Sequence, residues 1–182
     1  MPPTEPHGIA FAQQIKQAYP TMGIILLSAH EQYEQEVIHL AQQYLRSIAF
    51  LHKGGDMSRL DLTLQEVETG RTIFQAGLVN RYVLETAVRA HFAPDETYWI
   101  DQALGNFTTL SPRETEIAHL LTAAYASNAI AHRLNLTKGS VDNAISRVYL
   151  KLGLADMKQN AAGLRPLPIL TKTCLIHDIR AQ

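Results

Sequence analysis

The chain has 182 residues, of which 46% are hydrophobic and 18% are charged. This composition supports one or two folded domains and excludes an intrinsically disordered chain. No apolar run approaches the ~20 residues of a membrane span, and we expect no secretion signal, because residues 1–8 are polar and proline-rich. The single cysteine, Cys174, excludes an internal disulfide and suits a reducing cytoplasm.

The net charge of −1 hides a difference between the two halves of the chain. Residues 1–108 hold 7 basic and 12 acidic side chains, whereas residues 109–182 hold 9 and 5. A basic region beside an acidic one is typical of a nucleic-acid-binding domain joined to a domain with another role. Because the basic excess is small, we expect moderate affinity for nucleic acid and a shallow salt dependence.

The N-terminal region alternates helical patterns with short apolar runs. Helices are predicted over residues 9–19, 31–44 and 57–68, and buried parallel strands over residues 23–28 and 47–52. This alternation predicts a parallel sheet covered by helices.

This region is similar to the second half of a response-regulator receiver domain. The resemblance implies that Ser28 matches the hydroxyl that senses the phosphoryl group, Phe50 the aromatic switch residue, and Lys53 the lysine that pairs with phosphoryl oxygen. The Mg²⁺-binding acidic pair and the phosphate-accepting aspartate of such domains would precede Met1. We therefore expect no phosphorylation of the chain as given.

Two interpretations of this missing half stay open. Either the sequence is a fragment or has a start codon placed too late, or it is a receiver that is truly truncated. A sheet of two strands is marginal alone and leaves an unpaired edge. A truncated form is therefore expected to cover that edge by dimerising or with a partner.

Residues 71–108 are predicted to form a folded helical connector. After Thr72-Ile73-Phe74, a helix is predicted over residues 76–91, and a second helix is predicted to begin at Pro94. The inner face predicted for the first of these helices consists of Leu78, Tyr82, Val83, Thr86 and Ala87. The aromatic side chains of Tyr98, Trp99 and Phe107 are predicted to pack in a core rather than to stack on bases.

The most informative stretch covers residues 110–154. Ser111, Pro112 and Glu114 have the spacing of a capping box at a helix start. Two further helices follow; Thr137 is the expected N-cap of the last, and Gly153 is its expected end. Two short helices and a longer one, with a tight turn before the last, are typical of a helix-turn-helix that places its last helix in the major groove of DNA.

This stretch resembles the LuxR-type helix-turn-helix at the C-terminus of NarL/FixJ-class response regulators. The matching residues are Leu110-Ser111-Pro112-Arg113-Glu114, Leu120-Leu121, Ile130-Ala131, Leu134, Val141, Asn143 and Lys151-Leu152-Gly153. The candidate DNA contacts lie on the third helix and are Lys138, Ser140, Asp142, Asn143, Ser146, Arg147 and Lys151. Asn143 suits bidentate bonding to adenine, and the three cations suit phosphates.

Three residues depart from the family pattern. Asp142 stands where the family usually has lysine, Ala144 where it often has histidine, and Ala124 where a turn glycine is expected. A carboxylate does not favour phosphate, but it accepts a hydrogen bond from the cytosine amino group. The hypothesis is that DNA binding persists with altered or relaxed sequence preference.

The sequence thus predicts an α/β part followed by an all-α part. The expected divisions are a truncated receiver-like domain over residues 1–70, a helical linker over 71–108, a four-helix LuxR-type domain over 109–165, with its fourth helix over 155–162, and a C-terminal tail over 166–182. The tail is expected to form a short helix that packs on the domain or on a second subunit.

The predicted function is that of a cytoplasmic transcriptional regulator that binds double-stranded DNA as a homodimer. The alternative is an interaction module that heterodimerises with other regulators without binding DNA. A histidine kinase is an expected partner if the chain is a fragment. No catalytic constellation, cofactor or membrane partner is predicted, and the eight histidines show no metal-ligand spacing.

Overall fold

The structure of the protein is a computed structural model. It describes residues 7–28, 39, 43, 46–53, 58, 60–74, 81–157 and 163–181. The predicted helix over residues 31–44 lies almost wholly outside these residues, and positions 76–80 lie wholly outside them. Most of the predicted helix over residues 155–162 lies outside them as well. No helix among the described residues is long and apolar enough to cross a membrane.

The described elements alternate at first and then become entirely helical. In chain order they are α1 (His7–Ala18), β1 (Ile24–Ser28), β2 (Ile48–His52), α2 (Leu60–Glu68), β3 (Thr72–Phe74), α3 (Arg81–Arg89), α4 (Pro94–Asn106), α5 (Pro112–Thr122), α6 (Ser127–Leu134), α7 (Lys138–Lys151) and α8 (Pro166–Ala181). A 3₁₀ turn, Phe107–Thr109, joins α4 to the segment before α5. The predicted fold class, an α/β part followed by an all-α part, is confirmed.

Among the described residues the sheet has three parallel strands in the order β1-β2-β3, so the prediction of two strands was incomplete. The sequence predicts that Thr72, Ile73 and Phe74 belong to the connector, but they pair in register with Ile48, Ala49 and Phe50 of β2. A run of three residues is too short to show an alternating pattern. The structure makes β2 the central strand of the sheet.

The two predicted strands differ in burial. Residues Ile48 to Leu51 of β2 are all buried, as their continuous apolar run predicts. The edge strand β1 is only half-buried, and Leu27 is 44% exposed, although the sequence predicted a buried strand.

Two apolar clusters hold the molecule together. The larger, which we call the main core, joins β2, β3, α3, α4 and α8 to one side of α5 and α7. The smaller, the helix-turn-helix core, consists of Ile117, Leu120, Ile130, Ala131, Val141 and Ala144. Helices α5 and α7 therefore contribute side chains to both clusters.

The C-terminal tail forms a helix of 16 residues, α8, which is longer than the short helix expected. It packs against α4, α5, α3 and β3. Its buried residues occur all round the helix and include Leu170, Cys174, Leu175 and Ile179. A helix that is apolar on every side belongs inside a protein, and α8 occupies the middle of the main core.

The predicted inner face of α3 was wrong. Tyr82 is 76% exposed and Val83 is 40% exposed, whereas Leu84 and Val88 are buried in the main core. The described residues of the predicted face have the period of a helix, but they lie on the side of α3 that faces away from the core, and Leu78 lies outside the described residues. Downstream, the burial of Trp99 and Phe107 confirms their predicted core role, whereas Tyr98 is 65% exposed, so the prediction was wrong for Tyr98.

Candidate nucleic-acid interface

Helix α5 begins with the predicted capping box. The Oγ of Ser111 accepts a hydrogen bond from the Glu114 N–H at 3.3 Å, and Glu114 Oε2 accepts one from the Ser111 N–H at 2.8 Å. Pro112 occupies the first turn, where its missing N–H costs nothing. The side chains of Ile117 and Leu120 are then buried in the helix-turn-helix core.

A three-residue turn separates α6 from α7. Asn135 ends α6 in the left-handed conformation, with φ 52°, which asparagine tolerates well. Thr137 caps α7, and its Oγ1 accepts a hydrogen bond from the Ser140 N–H at 3.1 Å. Because Ile130 and Val141 meet in the same core, this tight turn fixes the angle between the two helices.

Helix α7 has one buried and one open side. Val141, Ala144 and Val148 are buried. On the remaining surface lie all seven predicted DNA contacts: Lys138, Ser140, Asn143, Ser146, Arg147 and Lys151 are exposed, and Asp142 is half-exposed. The structure therefore brings the predicted residues together on one helix, with their side chains accessible to a ligand.

Asp142 does not stand alone on this surface. Lys138 Nζ donates to Asp142 Oδ2 at 2.9 Å, one helical turn earlier. Hydrogen bonds from Lys138 and then from Ser127 hold the pKa of Asp142 below its ordinary value. Asp142 therefore has two effects on the charge of α7: it replaces the lysine of the family pattern, and it neutralises Lys138.

A second acidic group faces the other end of α7. Lys151 Nζ lies 2.6 Å from Glu114 Oε2 and 3.2 Å from the carbonyl oxygen of Thr109, and Arg147 Nε lies 3.5 Å from Glu114 Oε1. The hydrogen bond from Lys151, followed by that from the Ser111 N–H, lowers the pKa of Glu114 to about 2. Glu114 is thus a capping residue and an electrostatic anchor for α7.

Arg113 has a role that the sequence did not reveal. Its Nη2 donates to the carbonyl oxygen of Leu134 at 2.6 Å, and its Nη1 donates to Glu116 at 2.6 Å. A cation at the last carbonyls of a helix complements the helix dipole. Arg113 therefore ties the start of α5 to the end of α6. Only the family motif singled it out in the sequence.

The predicted receiver remnants lie on β1 and β2 or just beyond. Ser28 ends β1 opposite His52, and the Lys53 N–H donates to the Ser28 carbonyl oxygen at 2.6 Å. Phe50 is buried in the main core, whereas Lys53 is exposed. The structure brings Ser28 and Lys53 together at the carboxyl ends of adjacent strands, and their switch role stays a prediction.

A buried ionic cluster was missed, because its members come from separate segments. The ligand atoms of His119, His177 and Asp178 lie within 4.8 Å of one another, a spacing compatible with a metal ion. However, Arg46 Nη2 lies 2.7 Å from His119 Nδ1. A guanidinium only donates, so Nδ1 accepts and the ring proton is on Nε2, the nitrogen nearer Asp178.

Burial lowers the pKa of His119 to about 3, so this ring is neutral at neutral pH. Its Nε2 then carries the ring proton and faces the carboxylate at 3.7 Å, so this nitrogen has no lone pair free for a metal ion. The arrangement favours an ionic cluster over a metal site. That the chain binds no metal stays a prediction.

Comparison with known proteins supports the assignment of the α5–α7 region. Residues 108–162 match the family model described as bacterial regulatory proteins, luxR family. No curated protein matches the chain significantly. Among solved structures, the chain is similar to one described as two RcsB dimers bound to two parallel DNAs, with 20% identity and a TM-score of 0.28.

That alignment covers 88% of this chain and 64% of the RcsB chain, so this chain spans less than two thirds of that protein. The family match begins one residue before the predicted domain and ends three residues before its predicted end. The other predicted boundaries stay predictions. The helix-turn-helix formed by α5, α6 and α7 therefore lies within the segment, residues 108–162, that matches the luxR family of bacterial regulatory proteins.

Proposed function

We propose that this protein is a transcriptional regulator that binds double-stranded DNA by placing α7 in the major groove. The observation that carries the proposal is the two-sided α7 helix. Its apolar side is buried, while its polar side chains face solvent within a luxR-family domain. Helices of this arrangement read base edges with their exposed side chains.

The residues of α7 differ in the roles they suit. Exposed Asn143 suits the two hydrogen-bonding groups of adenine in the major groove. Arg147, whose side chain is 59% exposed and lies 3.5 Å from Glu114, suits a phosphate. Asp142, if released from Lys138, suits the amino group of cytosine.

We further propose that the protein acts as a cytoplasmic homodimer on paired half-sites, because two-fold symmetric proteins read symmetric DNA. No enzymatic role is proposed.

The test is binding of the full chain to a pool of duplex DNA across a salt titration. We expect Arg147→Ala to weaken binding to all sequences and to reduce the salt slope by about 1. Asn143→Ala is expected to cost about 1–3 kcal/mol and to relax preference at one base pair. Arg81→Ala, which removes an exposed cation of α3, is the matched control and is expected to change neither quantity.

A second candidate function is a module that pairs with other regulators without binding DNA. It is favoured by the ion pairs that neutralise Lys138 and Lys151 on α7. Asp142→Lys separates the two functions. If α7 reads DNA, this substitution is expected to raise affinity and change base preference. Absence of binding at low salt, where non-specific phosphate contacts are strongest, would reject the DNA-binding proposal.

A further inference from the structure

The C-terminal helix contributes a carboxylate to the junction between the sheet and the helix-turn-helix domain. Asp178 of α8 is fully buried. Its Oδ2 lies 2.9 Å from Arg46 Nη2 and accepts a hydrogen bond from the Thr72 N–H at 3.3 Å. Arg46 precedes β2 and Thr72 begins β3, so this oxygen binds the amino ends of two neighbouring strands.

The other carboxylate oxygen faces the helix-turn-helix domain. His119 Nε2 of α5 and His177 Nδ1 of α8 each lie 3.7 Å from Asp178 Oδ1, and Arg71 Nη2 lies 3.8 Å from it. Arg46 also bonds His119, which closes a ring of contacts between the sheet, α5 and α8. Asp178 is the one carboxylate in this ring, and Arg46 is the basic group that lies nearest to it.

The charge state of the ring follows from these contacts. Burial alone would raise the pKa of Asp178, but the Arg46 guanidinium and the other donors hold that pKa well below its usual range. The carboxylate is therefore ionised. An ionised group with no exposure is stable only while its partners stay in place, so the ring resists separation of the segments that build it.

Other contacts support the same docking. Gly70, with φ 95°, lies so close to α5 that a Cβ there would be 2.4 Å from the carbonyl oxygen of His119. Arg133 of α6 pairs with Glu68 of α2, and the Tyr125 hydroxyl donates to the Thr21 carbonyl oxygen at 3.1 Å. The domain thus meets the sheet and α2 through polar contacts of defined direction.

The helix-turn-helix domain has a core of its own beside this junction. Its six buried residues come from α5, α6 and α7 only, with none from the sheet, α4 or α8. Loss of the Asp178 contacts would therefore leave that core intact. The residues that dock the domain at Asp178 are thus distinct from those of its own core, although Ala118 of α5 and Val148 of α7 also pack in the main core.

We propose that Asp178 is a positioning residue, which fixes the helix-turn-helix domain in one orientation relative to the sheet and so sets the direction in which α7 faces. The consequence for DNA rests on the function proposed above. In a dimer built through the N-terminal part, a fixed orientation selects one spacing between half-sites. The group responsible is a single buried carboxylate, which contacts basic side chains at the sheet, on α5 and on α8.

The test compares Asp178→Asn with the control Asp101→Asn in the full chain by amide hydrogen exchange. Asp101 pairs with Arg89 and its side chain is 55% exposed, so its loss leaves the ring intact. For Asp178→Asn we expect exchange to rise on the order of 100-fold at residues 46–52 and 71–74. Peptides from α6 and α7 are expected to change little, because their core is separate.

A purely structural role would instead lower protection in the sheet, α6 and α7 together, and that result would overturn the proposal. Where Asp178→Asn fails to fold, Arg71→Gln takes its place, since Arg71 is partly exposed and makes the longest contact. It is expected to raise exchange in the same segments by a smaller factor. No change with Arg71→Gln in that case would also overturn the proposal.

The second measurement uses paired half-sites with different separations. We expect the unmodified protein to prefer one separation, and Asp178→Asn to lose that preference while retaining affinity for a single half-site. If neither protein binds DNA, the proposed function fails, but the exchange measurement still decides the positioning role. If both bind DNA and prefer the same separation equally, the positioning role is rejected and the DNA-binding function stands.

Discussion

At the scale of single residues, Ala124 holds a backbone conformation that suits glycine. It lies in the turn between α5 and α6 with φ 70°, and its side chain is exposed. The left-handed conformation costs an L-residue about 1–2 kcal/mol. A glycine avoids this strain, but it loses more conformational entropy on folding, which offsets part of the gain in stability. This alanine is one of the three departures from the family pattern noted in the sequence.

We therefore predict that Ala124→Gly stabilises the protein by about 0.5–1 kcal/mol. The measurement is the free energy of unfolding in urea. Ala129→Gly is the matched control, because Ala129 is also exposed but lies within α6. There the same substitution is expected to destabilise by about 1 kcal/mol. Equal effects at both positions would contradict this account of the turn.

Glu114 gives a prediction about pH. Its pKa is lowered from 4.5 to about 2 by Lys151 and the Ser111 N–H, and its side chain is only 7% exposed. Because the folded pKa lies below the unfolded one, the stabilisation is complete above about pH 4.5 and is lost as pH falls toward 2. The ionised group is expected to contribute about 2–3 kcal/mol at neutral pH.

Glu114→Gln is expected to destabilise the protein at neutral pH, and the difference from the unmodified protein should shrink by about half at pH 3. The comparison uses urea unfolding at both pH values. Glu116→Gln, on the same helix, is the control for loss of a carboxylate outside the capping box. A Glu114→Gln deficit that is the same at both pH values would show that ionisation of Glu114 is not its source.

At the scale of elements, the sequence predicted those with strong local signals. The capping box at Ser111, the cap at Thr137 and the stop at Gly153 are confirmed, because such signals depend on neighbouring residues alone. The third strand, Thr72–Phe74, was missed because its identity depends on pairing with β2. The length of α8 was underestimated because a helix that is buried on every side shows no polar face.

The tight approach of α5 to the segment before β3 gives a prediction at this scale. Gly70 and Gly163 both have positive φ, 95° and 87°. A Cβ at Gly70 would lie 2.4 Å from the His119 carbonyl oxygen, whereas a Cβ at Gly163 would have open space around it. Gly163→Ala is expected to cost about 1–2 kcal/mol from backbone conformation alone. Gly70→Ala is expected to cost more than this, because α5 must also move away.

Thermal unfolding of the two variants measures this difference. The Gly70→Ala variant is also expected to lose amide protection at the amino ends of β2 and β3, since these ends are bound to α5 through the Asp178 ring. A third variant, Gly105→Ala, lies in α4 with open space around its Cβ and is expected to stabilise by about 0.5–1 kcal/mol. Equal losses of thermal stability in the Gly70→Ala and Gly163→Ala variants would contradict the close approach of Gly70 to α5.

At the scale of the whole molecule, the candidate DNA-reading surface was more predictable than its charge balance. All seven residues lie on α7 because helical periodicity, together with the turn before Lys138, defines which side is open. The partner of Lys151 was not predictable, since Glu114 lies 37 residues earlier and meets it only after α5 packs on α7. The Asp178 ring was not predictable either, because its members are far apart in the sequence and meet only in the folded chain.

The main core extends from the sheet through α4 and α8 to α5 and α7, which predicts that the full chain unfolds as one cooperative unit. Trp99, the single tryptophan, is buried in that core, so its fluorescence reports α4, whereas far-UV circular dichroism reports every helix. We expect the two signals to change at the same urea concentration. Asp101→Asn, which leaves the main core intact, should preserve this coincidence.

The outcome also bears on how the domain is held. Two separate transitions in the unmodified protein, with fluorescence lost before circular dichroism, would show that the helix-turn-helix core outlasts the main core and that docking is weak. Coincident transitions that separate in Asp178→Asn would instead locate the coupling at the buried carboxylate, since that substitution leaves the helix-turn-helix core untouched. The cooperativity of this molecule is then a property of α8, which supplies both the apolar centre and the charge that joins its parts.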